Sequence, residues 1–189
     1  MMIRNPHLTN YKNFVTFENV FNDKECEFIK SLGWEWNEGL TGNNTTKDVN
    51  IRNSNVFWIH QRQDLIWIWE RLEHFIQKAN SHVWHMEITK FMEPLQLTKY
   101  KKAGHYNWHV DHGNNENSHR KLSCVVNLTD PNEYKNGGTI IQDGNKSFML
   151  PKNKGTLNIF PSYILHKAKK IKKGTRMTLI CWVGGSHYR

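Results

Sequence analysis

Apolar and polar positions recur with two different periods along this chain. Between 64 and 80, apolar residues recur every three or four positions, which is the spacing of one helix face. A shorter helical pattern follows Asn22 and continues to about Leu32, and Asn22 with Glu25 gives the sequence signature of a capping box. From His105 onwards, short β-branched and alternating runs are typical of strands.

The order of these elements predicts a fold that is mainly β with flanking helices, in the α+β class. Closely spaced strands separated by Gly, Pro and Asn turns indicate a sandwich or barrel. The two preceding helices are expected to buttress one sheet. Because we find no internal repeat and no linker, we expect one domain over residues 1–189, with its core at about 85–184.

Composition narrows the class of protein. No run approaches the roughly 18 apolar residues of a membrane span, and the first residues lack the apolar core of a signal peptide. Three cysteines without C-x-x-C spacing agree with a reducing compartment. We therefore expect no membrane contact and a cytoplasmic location. The Asn- and Lys-rich composition is also found in some phages, in which case the location is the host cytoplasm.

The formal net charge of +9 favours acidic partners, nucleic acid among them. The charge is partly local, because five lysines lie between 167 and 173. One interpretation of this run is a solvated strand-loop-strand edge. The other is a basic rim that steers an acidic substrate, and the sequence leaves both open.

The candidate chemistry lies between Tyr100 and Gly113, which contains the pair His109-x-Asp111. On a β-strand, side chains two residues apart share a face, so this imidazole and carboxylate can chelate one divalent metal. His166 is the candidate third ligand. Although the chain has 11 histidines, these three residues together match the facial triad of non-haem Fe(II) oxygenases.

The two blocks around these ligands resemble the 2-oxoglutarate- and Fe(II)-dependent oxygenases, in particular the prolyl 4-hydroxylase-like branch. The resemblance spans roughly 14 to 183 and implies a double-stranded β-helix, or jelly roll, buttressed by the N-terminal helices. It also implies Fe(II), 2-oxoglutarate and O2 as cofactors, with ascorbate as a reductant. The residues that carry it are Tyr100, Gly104, Tyr106, His109, Asp111, Phe160, Ser162, His166, Gly174, Arg176 and Trp182.

The same resemblance assigns the cosubstrate contacts. Arg176 matches the family's cation for the far carboxylate of 2-oxoglutarate, a role that suits a guanidinium fork. Thr178 lies two residues further on, on the same strand face, and Tyr100 matches a tyrosine that hydrogen-bonds the cosubstrate. Asn127 stands where the family often has Tyr, so its contact is expected to be direct or through water.

For the substrate, the resemblance points to Arg120 as a peptide contact, to Trp182 as an aromatic wall and to Tyr106 as a residue facing the site. A surface role for Arg120 is an equal alternative. Residues 40–55, rich in Gly and Asn, are a hypothetical lid over the substrate.

These expectations describe a dioxygenase that hydroxylates a prolyl residue of a peptide or protein and releases succinate and CO2. One alternative keeps the cofactors and acts on nucleic acid or a free amino acid. Nucleic acid is not favoured, because the block around Arg176 has one basic residue where the demethylating branch has two. The non-enzyme alternative is a β-sandwich binding module.

Overall fold

The computed structural model describes residues 12–41 and 47–187. The N-terminal residues considered for a signal peptide lie outside this range, as do residues 42–46 of the hypothetical lid. Two α-helices, three short 3-10 turns and fifteen strands make up the described chain. The helices and strands are β1 (Val15–Phe17), α1 (Asp23–Ser31), β2 (Asn37–Glu38), β3 (Arg52–Asn53), β4 (Asn55–Ile59), α2 (Ile66–Val83), β5 (Lys90–Phe91), β6 (Leu95–Tyr100), β7 (His105–His109), β8 (Arg120–Asn127), β9 (Tyr134–Asn136), β10 (Thr139–Asp143), β11 (Lys146–Met149), β12 (Leu157–Pro161), β13 (His166–Ala168), β14 (Ile171–Gly174) and β15 (Arg176–Gly184).

Local sequence signals explain where the helices begin. The Asn22 side chain accepts a hydrogen bond from the Glu25 N–H, and the Glu25 carboxylate accepts one from the Asn22 N–H, so the predicted capping box is confirmed. Helix α2 begins at Ile66, after a 3-10 turn, and ends at Val83. Neither helix of the described ranges has the length and apolarity that crossing a membrane requires.

The strands form two larger sheets. The main sheet has the order β1-β12-β8-β15-β6-β4-β2, with β5 paired to β15, and the second sheet has the order β11-β10-β13-β7-β3. Strands β9 and β14 form a separate two-stranded sheet. This sheet-rich, jelly-roll-like arrangement with two helices confirms the predicted fold class.

The main sheet separates a hydrophobic core from the candidate site. On β8, Cys124 and Val126 belong to the core that the helix residues Ile29 and Leu72 also form. The alternate residue Ser123 points the other way, towards the candidate metal ligands. Burying each large apolar side chain contributes about 1.5–3 kcal/mol, so the pattern of β8 fixes which of its faces carries the site.

Candidate metal centre

Strand register brings two of the three candidate ligands together. His109 on β7 lies directly opposite His166 on the antiparallel strand β13. Asp111 lies two residues beyond the end of β7, so strand alternation does not place it. Instead, the N–H groups of Asp111 and His112 both donate to the Ser162 carbonyl oxygen, each over 2.9 Å. These two bonds turn the Asp111 side chain back towards the histidines.

The three side chains form one compact donor set. His109 Nε2 lies 3.6 Å from Asp111 Oδ1, and His166 Nε2 lies 3.4 Å from Asp111 Oδ2. One ligand atom from each of the three residues lies within 4.8 Å of the other two. Two imidazole nitrogens and one carboxylate oxygen at such distances fit a single divalent transition-metal ion, with open positions on the cavity side.

Backbone carbonyl groups fix the orientation of both imidazole rings. His109 Nδ1 lies 2.7 Å from the Asn107 oxygen, and His166 Nδ1 lies 2.9 Å from the Ile164 oxygen. Because a carbonyl only accepts, each Nδ1 carries a proton that it donates. The Nε2 lone pairs therefore point into the cluster, as metal ligation requires.

A serine on the neighbouring sheet holds the carboxylate. Ser123 Oγ donates to Asp111 Oδ2 over 2.7 Å and lies 3.0 Å from Ser162 Oγ. Sequence reasoning missed Ser123, because nothing in its local pattern distinguishes it from any other strand serine.

The electrostatics of the cluster favour the ligand forms. Burial lowers the pKa of His109 to about 3, assisted by the neighbouring His166. Burial opposes ionisation of Asp111, but the two histidines and the Ser123 hydroxyl outweigh it and lower the pKa of Asp111. Burial also acts against the charged form of His166, yet the Asp111 carboxylate prevails and raises the pKa of His166. His109 is thus neutral and Asp111 ionised at neutral pH.

The cluster opens into a cavity of about 260 Å³ that both larger sheets line. Nine of the ten predicted site residues line this cavity, and Asn127 lies behind it. The nine are Tyr100, Tyr106, His109, Asp111, Arg120, His166, Arg176, Thr178 and Trp182.

Arg176 supplies a buried cation to this cavity. It is 3% exposed, and its Nη2 donates to Asn127 Oδ1 and Thr139 Oγ1, each over 3.1 Å. Burial lowers the pKa of Arg176. Within the described residues no carboxylate pairs with it, and its Nε and the Thr178 hydroxyl have no hydrogen-bond partner. A buried charge without a counter-ion is costly, so this end of the cavity fits an anionic group.

Asn127 orients that guanidinium. Its side-chain oxygen accepts from Arg176, and its amide nitrogen donates to the Pro151 oxygen over 3.0 Å. Both ends of the amide are therefore engaged within the protein. The predicted contact of Asn127 with the cosubstrate stays a prediction.

Arg120 reaches the cavity with its charge already paired. Its Nε and Nη2 donate to Glu93 Oε1 over 3.0 and 2.6 Å, and its Nη1 lies 3.3 Å from the Asp111 carbonyl oxygen. The Arg120 Cζ atom lies 4.2 Å from the centroid of the Trp182 ring, and Trp58 lies beside that ring. The two residues thus offer a flat, stacked surface rather than an unpaired cation.

Arg52 is a cavity residue to which sequence reasoning gave no role beyond its place in the hypothetical lid at 40–55. It is 7% exposed and donates to Ser54 Oγ over 2.9 Å, to the Leu40 oxygen over 3.0 Å and to Gln96 Oε1 over 2.9 Å. Its Cζ lies 4.8 Å from the Tyr106 ring centroid. Arg52 therefore ties a described part of the hypothetical lid to the sheets. No local pattern predicts its burial, because polar residues such as Asn53 and Ser54 follow it directly in the sequence.

Comparison with known proteins places this geometry in context. Residues 95–184 match the profile of the 2OG-Fe(II) oxygenase superfamily, and this range contains all ten predicted site residues. A PKHD-type hydroxylase of Prochlorococcus marinus strain MIT 9312 is 26% identical over 174 residues, which cover 90% of this chain and 77% of that protein. A PKHD-type hydroxylase of Aliarcobacter butzleri is 36% identical over 95 residues, or 46% of this chain and 41% of that protein. The chain thus spans less than half of the second relative.

Solved structures share the fold. A Trichoplax adhaerens prolyl hydroxylase, in complex with a peptide of the hypoxia inducible factor oxygen degradation domain, superposes with a TM-score of 0.75 at 16% identity, over 91% of this chain and 83% of that chain. A Pseudomonas putida prolyl-4-hydroxylase superposes with a TM-score of 0.70 at 14% identity, over 92% of this chain and 93% of that chain. The α-ketoglutarate-dependent epimerase SnoN of nogalamycin biosynthesis superposes with a TM-score of 0.67 at 11% identity, over 90% of this chain and 77% of that chain. Because the last has a different activity, the shared fold does not identify the substrate.

Proposed function

We propose that this chain, whose residues 95–184 match the profile of the 2OG-Fe(II) oxygenase superfamily, hydroxylates a prolyl residue of a peptide or protein. In this proposal His109, Asp111 and His166 hold Fe(II). Arg176 binds the far carboxylate of 2-oxoglutarate, with Thr178 beside it. The products are the hydroxylated polypeptide, succinate and CO2.

The observation that carries the proposal is the buried guanidinium of Arg176, which has no carboxylate partner in the described part of the chain and lies in the same cavity as the His-Asp-His cluster. The cavity has a cation at one end and also contains a metal-binding donor set. This arrangement suits a ligand that chelates the metal and also bears a remote carboxylate. 2-Oxoglutarate has these two features. A binding module without this chemistry would have no use for a buried cation that costs stability.

When bound, Fe(II) together with 2-oxoglutarate and O2 supplies the oxidant for hydroxylation of an unactivated C–H bond. The residues of this chain orient the metal ligands and exclude water from the cavity. The Nδ1 bonds of the two histidines and the Ser123 hydroxyl keep the ligand atoms oriented. Tyr100 and Thr178, both buried, line the cavity and limit access of water to it.

The prolyl substrate is proposed from the cavity wall and from the relatives. Trp58, Trp182 and Tyr106 line the cavity, and flat aromatic faces suit the apolar ring of proline. The relatives with matching sequence are named PKHD-type hydroxylases, and two structural neighbours are prolyl hydroxylases. These observations support a polypeptide substrate without defining the sequence around its proline.

The test is succinate release from 2-oxoglutarate in the presence of Fe(II) and ascorbate, with and without a panel of proline-containing peptides. Peptide-stimulated succinate and a proline heavier by one oxygen are expected. His109→Ala should abolish both, whereas the matched control His74→Ala, an exposed histidine on α2, should retain them.

The outcomes separate the alternatives. Succinate release that no peptide stimulates would support the oxygenase assignment and contradict the prolyl substrate. Nucleic acid and free amino acids would then be tested as substrates. No 2-oxoglutarate turnover under any condition, by protein that binds metal and is folded, would favour the binding module.

A further inference from the structure

Seven exposed lysines lie on segments that hydrogen bonds hold side by side, and we call this set the lysine surface. They come from three separate segments: the turn between β6 and β7, strand β9, and the chain from the end of β13 through β14. The seven residues are Lys101, Lys102, Lys135, Lys169, Lys170, Lys172 and Lys173.

Backbone hydrogen bonds join the three segments. The Ala103 N–H donates to the Ile171 oxygen, and the Ile171 N–H donates to the Gly104 oxygen, each over 2.9 Å. Asn136 Nδ2 donates to the Lys170 oxygen over 2.6 Å. The side chain of Ile171 packs with two buried tyrosines beneath the surface. The lysines therefore stand on an ordered platform.

The platform places like charges side by side. Lys173 on β14 is directly opposite Lys135 on β9, an arrangement that destabilises a strand pair. Gly174 brings the strands close, because a Cβ at this position would lie 2.1 Å from the Glu133 backbone oxygen. The Glu133 carboxylate accepts from the Asp130 N–H. In the described part of the chain, none of the seven lysines forms an ion pair.

We propose that the lysine surface binds the phosphate backbone of a nucleic acid. Concentrated, uncompensated positive charge on an ordered surface is the electrostatic footprint of such binding. The surface consists of lysine and contains no arginine. Lysine contacts phosphates as a mobile point charge, and double-stranded DNA carries one negative charge per about 1.7 Å of its helix axis, so one backbone can meet several of these lysines at once. This density of charge favours a nucleic acid over an acidic polypeptide.

The surface begins at the rim of the cavity. Lys167 and Ala168 line the cavity, and Lys169 and Lys170 follow directly. Lys167 Nζ also lies 4.3 Å from the ring centroid of Trp108, which is 39% exposed. A nucleic acid on the lysine surface would lie beside the entrance without filling it. The inference concerns a docking partner and does not depend on the reaction in the cavity.

Fluorescence anisotropy with a labelled short DNA duplex and an RNA of equal length, over a series of salt concentrations, tests the inference. The logarithm of the wild-type association constant should fall with the logarithm of salt concentration by about 0.9 per phosphate contacted on the duplex. The variant K170Q/K172Q/K173Q should reduce this slope by about 2 to 3 and weaken binding about tenfold at the lowest salt.

A matched control has the same net charge. K24Q/K78Q/K90Q removes three exposed lysines from α1, α2 and β5, and its affinity should stay within about twofold of wild type. A second test variant, K101Q/K102Q, changes the neighbouring turn and should also weaken binding. Unchanged thermal melting of each variant confirms that it is folded.

Three results would overturn the inference. Equal weakening by both triple variants would mean that net charge, and not this surface, drives association. Competition by poly-glutamate as effective as that by unlabelled nucleic acid, at equal charge concentration, would assign the surface to acidic polypeptides. Absence of binding at low salt would also reject it.

Discussion

The Tyr106 ring stacks on the His109 imidazole, with 3.6 Å between the ring centroids and 16° between the ring planes. The two residues are three apart, so a regular strand would put them on opposite faces. Their partners on β13, His166 and Ala168, are only two residues apart. Strand β7 therefore contains a bulge, with one extra residue between Tyr106 and His109. Both rings therefore face the cavity.

We predict that Tyr106→Ala weakens metal binding about tenfold, because loss of the ring frees the His109 imidazole to tilt. Tyr106→Phe keeps the stack and should bind metal as wild type does. Titration with Fe(II) or Co(II) under anaerobic conditions, followed by absorbance, measures both affinities. Equal affinities for all three proteins would show that the stack does not orient His109.

Ser123→Ala should also weaken metal binding, by about tenfold, because Asp111 Oδ2 loses its hydroxyl donor. Ser162 Oγ loses a neighbour as well, so the free energy of unfolding should fall by about 1 kcal/mol. The same titration and urea unfolding measure these effects. Ser118→Ala, at a half-buried position outside the cavity lining, is the control. Metal affinity unchanged by Ser123→Ala would contradict the role given to the hydroxyl.

Replacing Arg176 should separate ligand binding from stability. Charge-assisted hydrogen bonds contribute about 1.5–3 kcal/mol, so Arg176→Gln should weaken 2-oxoglutarate binding about 10- to 100-fold. The ligand-free protein should not lose stability, because the substitution removes a buried charge that has no counter-ion within residues 12–41 and 47–187. Arg176→Lys keeps the positive charge but loses the forked guanidinium. Its affinity for 2-oxoglutarate should therefore lie between those of the wild type and Arg176→Gln.

Calorimetry of 2-oxoglutarate binding, with Mn(II) in place of Fe(II), and melting with and without the ligand provide the measurements for Arg176. Undiminished affinity of Arg176→Gln would exclude the guanidinium as the carboxylate partner.

Arg52→Gln should loosen the described chain around Gly39 and Leu40. The Leu40 oxygen loses its guanidinium donor, while the Gly39 N–H keeps its bond to the Ser54 oxygen. Amide hydrogen exchange of a peptide covering these residues should become faster, and exchange in α2 should not change. Arg62→Gln, at an exposed ion pair with Asp64, is the matched control. Equal exchange in all three proteins would rule out Arg52 as an anchor.

Glu25 predicts a pH-dependent contribution to stability. Burial opposes its ionisation, but the Arg71 guanidinium at 2.6 Å and the Asn22 N–H outweigh burial and lower the pKa of Glu25. A carboxylate with a lowered pKa contributes its full stabilisation at pH values above its pKa in the unfolded state. This contribution is lost as the pH falls through its pKa in the folded state. Glu25→Gln should therefore cost less than about 1 kcal/mol at neutral pH and nothing at acidic pH.

Urea unfolding at several pH values measures the Glu25 effect, with Glu70→Gln on the exposed side of α2 as the control. A cost that persists unchanged at acidic pH would show that the charge is not responsible.

The elements with local signals were predictable from sequence. Asn22 and Glu25 lie three residues apart, and a motif of fixed spacing linked His109 with Asp111. Other relationships depend on register that no local pattern reveals. Ser123 meets Asp111, and Arg52 meets Gln96 44 residues away, only because particular strands are neighbours.

Selecting a residue as part of the site did not predict its surroundings. Arg120 does line the cavity, but its charge is paired with Glu93, 27 residues earlier in the chain. Whether a cation is free or paired depends on the distance between side chains from different elements. This information is absent from the spacing of either residue in the sequence.

His109 and His166, opposed across β7 and β13, are separated by more than fifty residues of chain. A metal ion bound by both rings therefore acts as a cross-link, and it restricts the unfolded chain by closing this long loop. Because the ion binds the assembled cluster and not separated strands, its free concentration sets part of the folding equilibrium. Iron starvation should then shorten the lifetime of the chain in the presence of proteases, so that its abundance follows the supply of the metal.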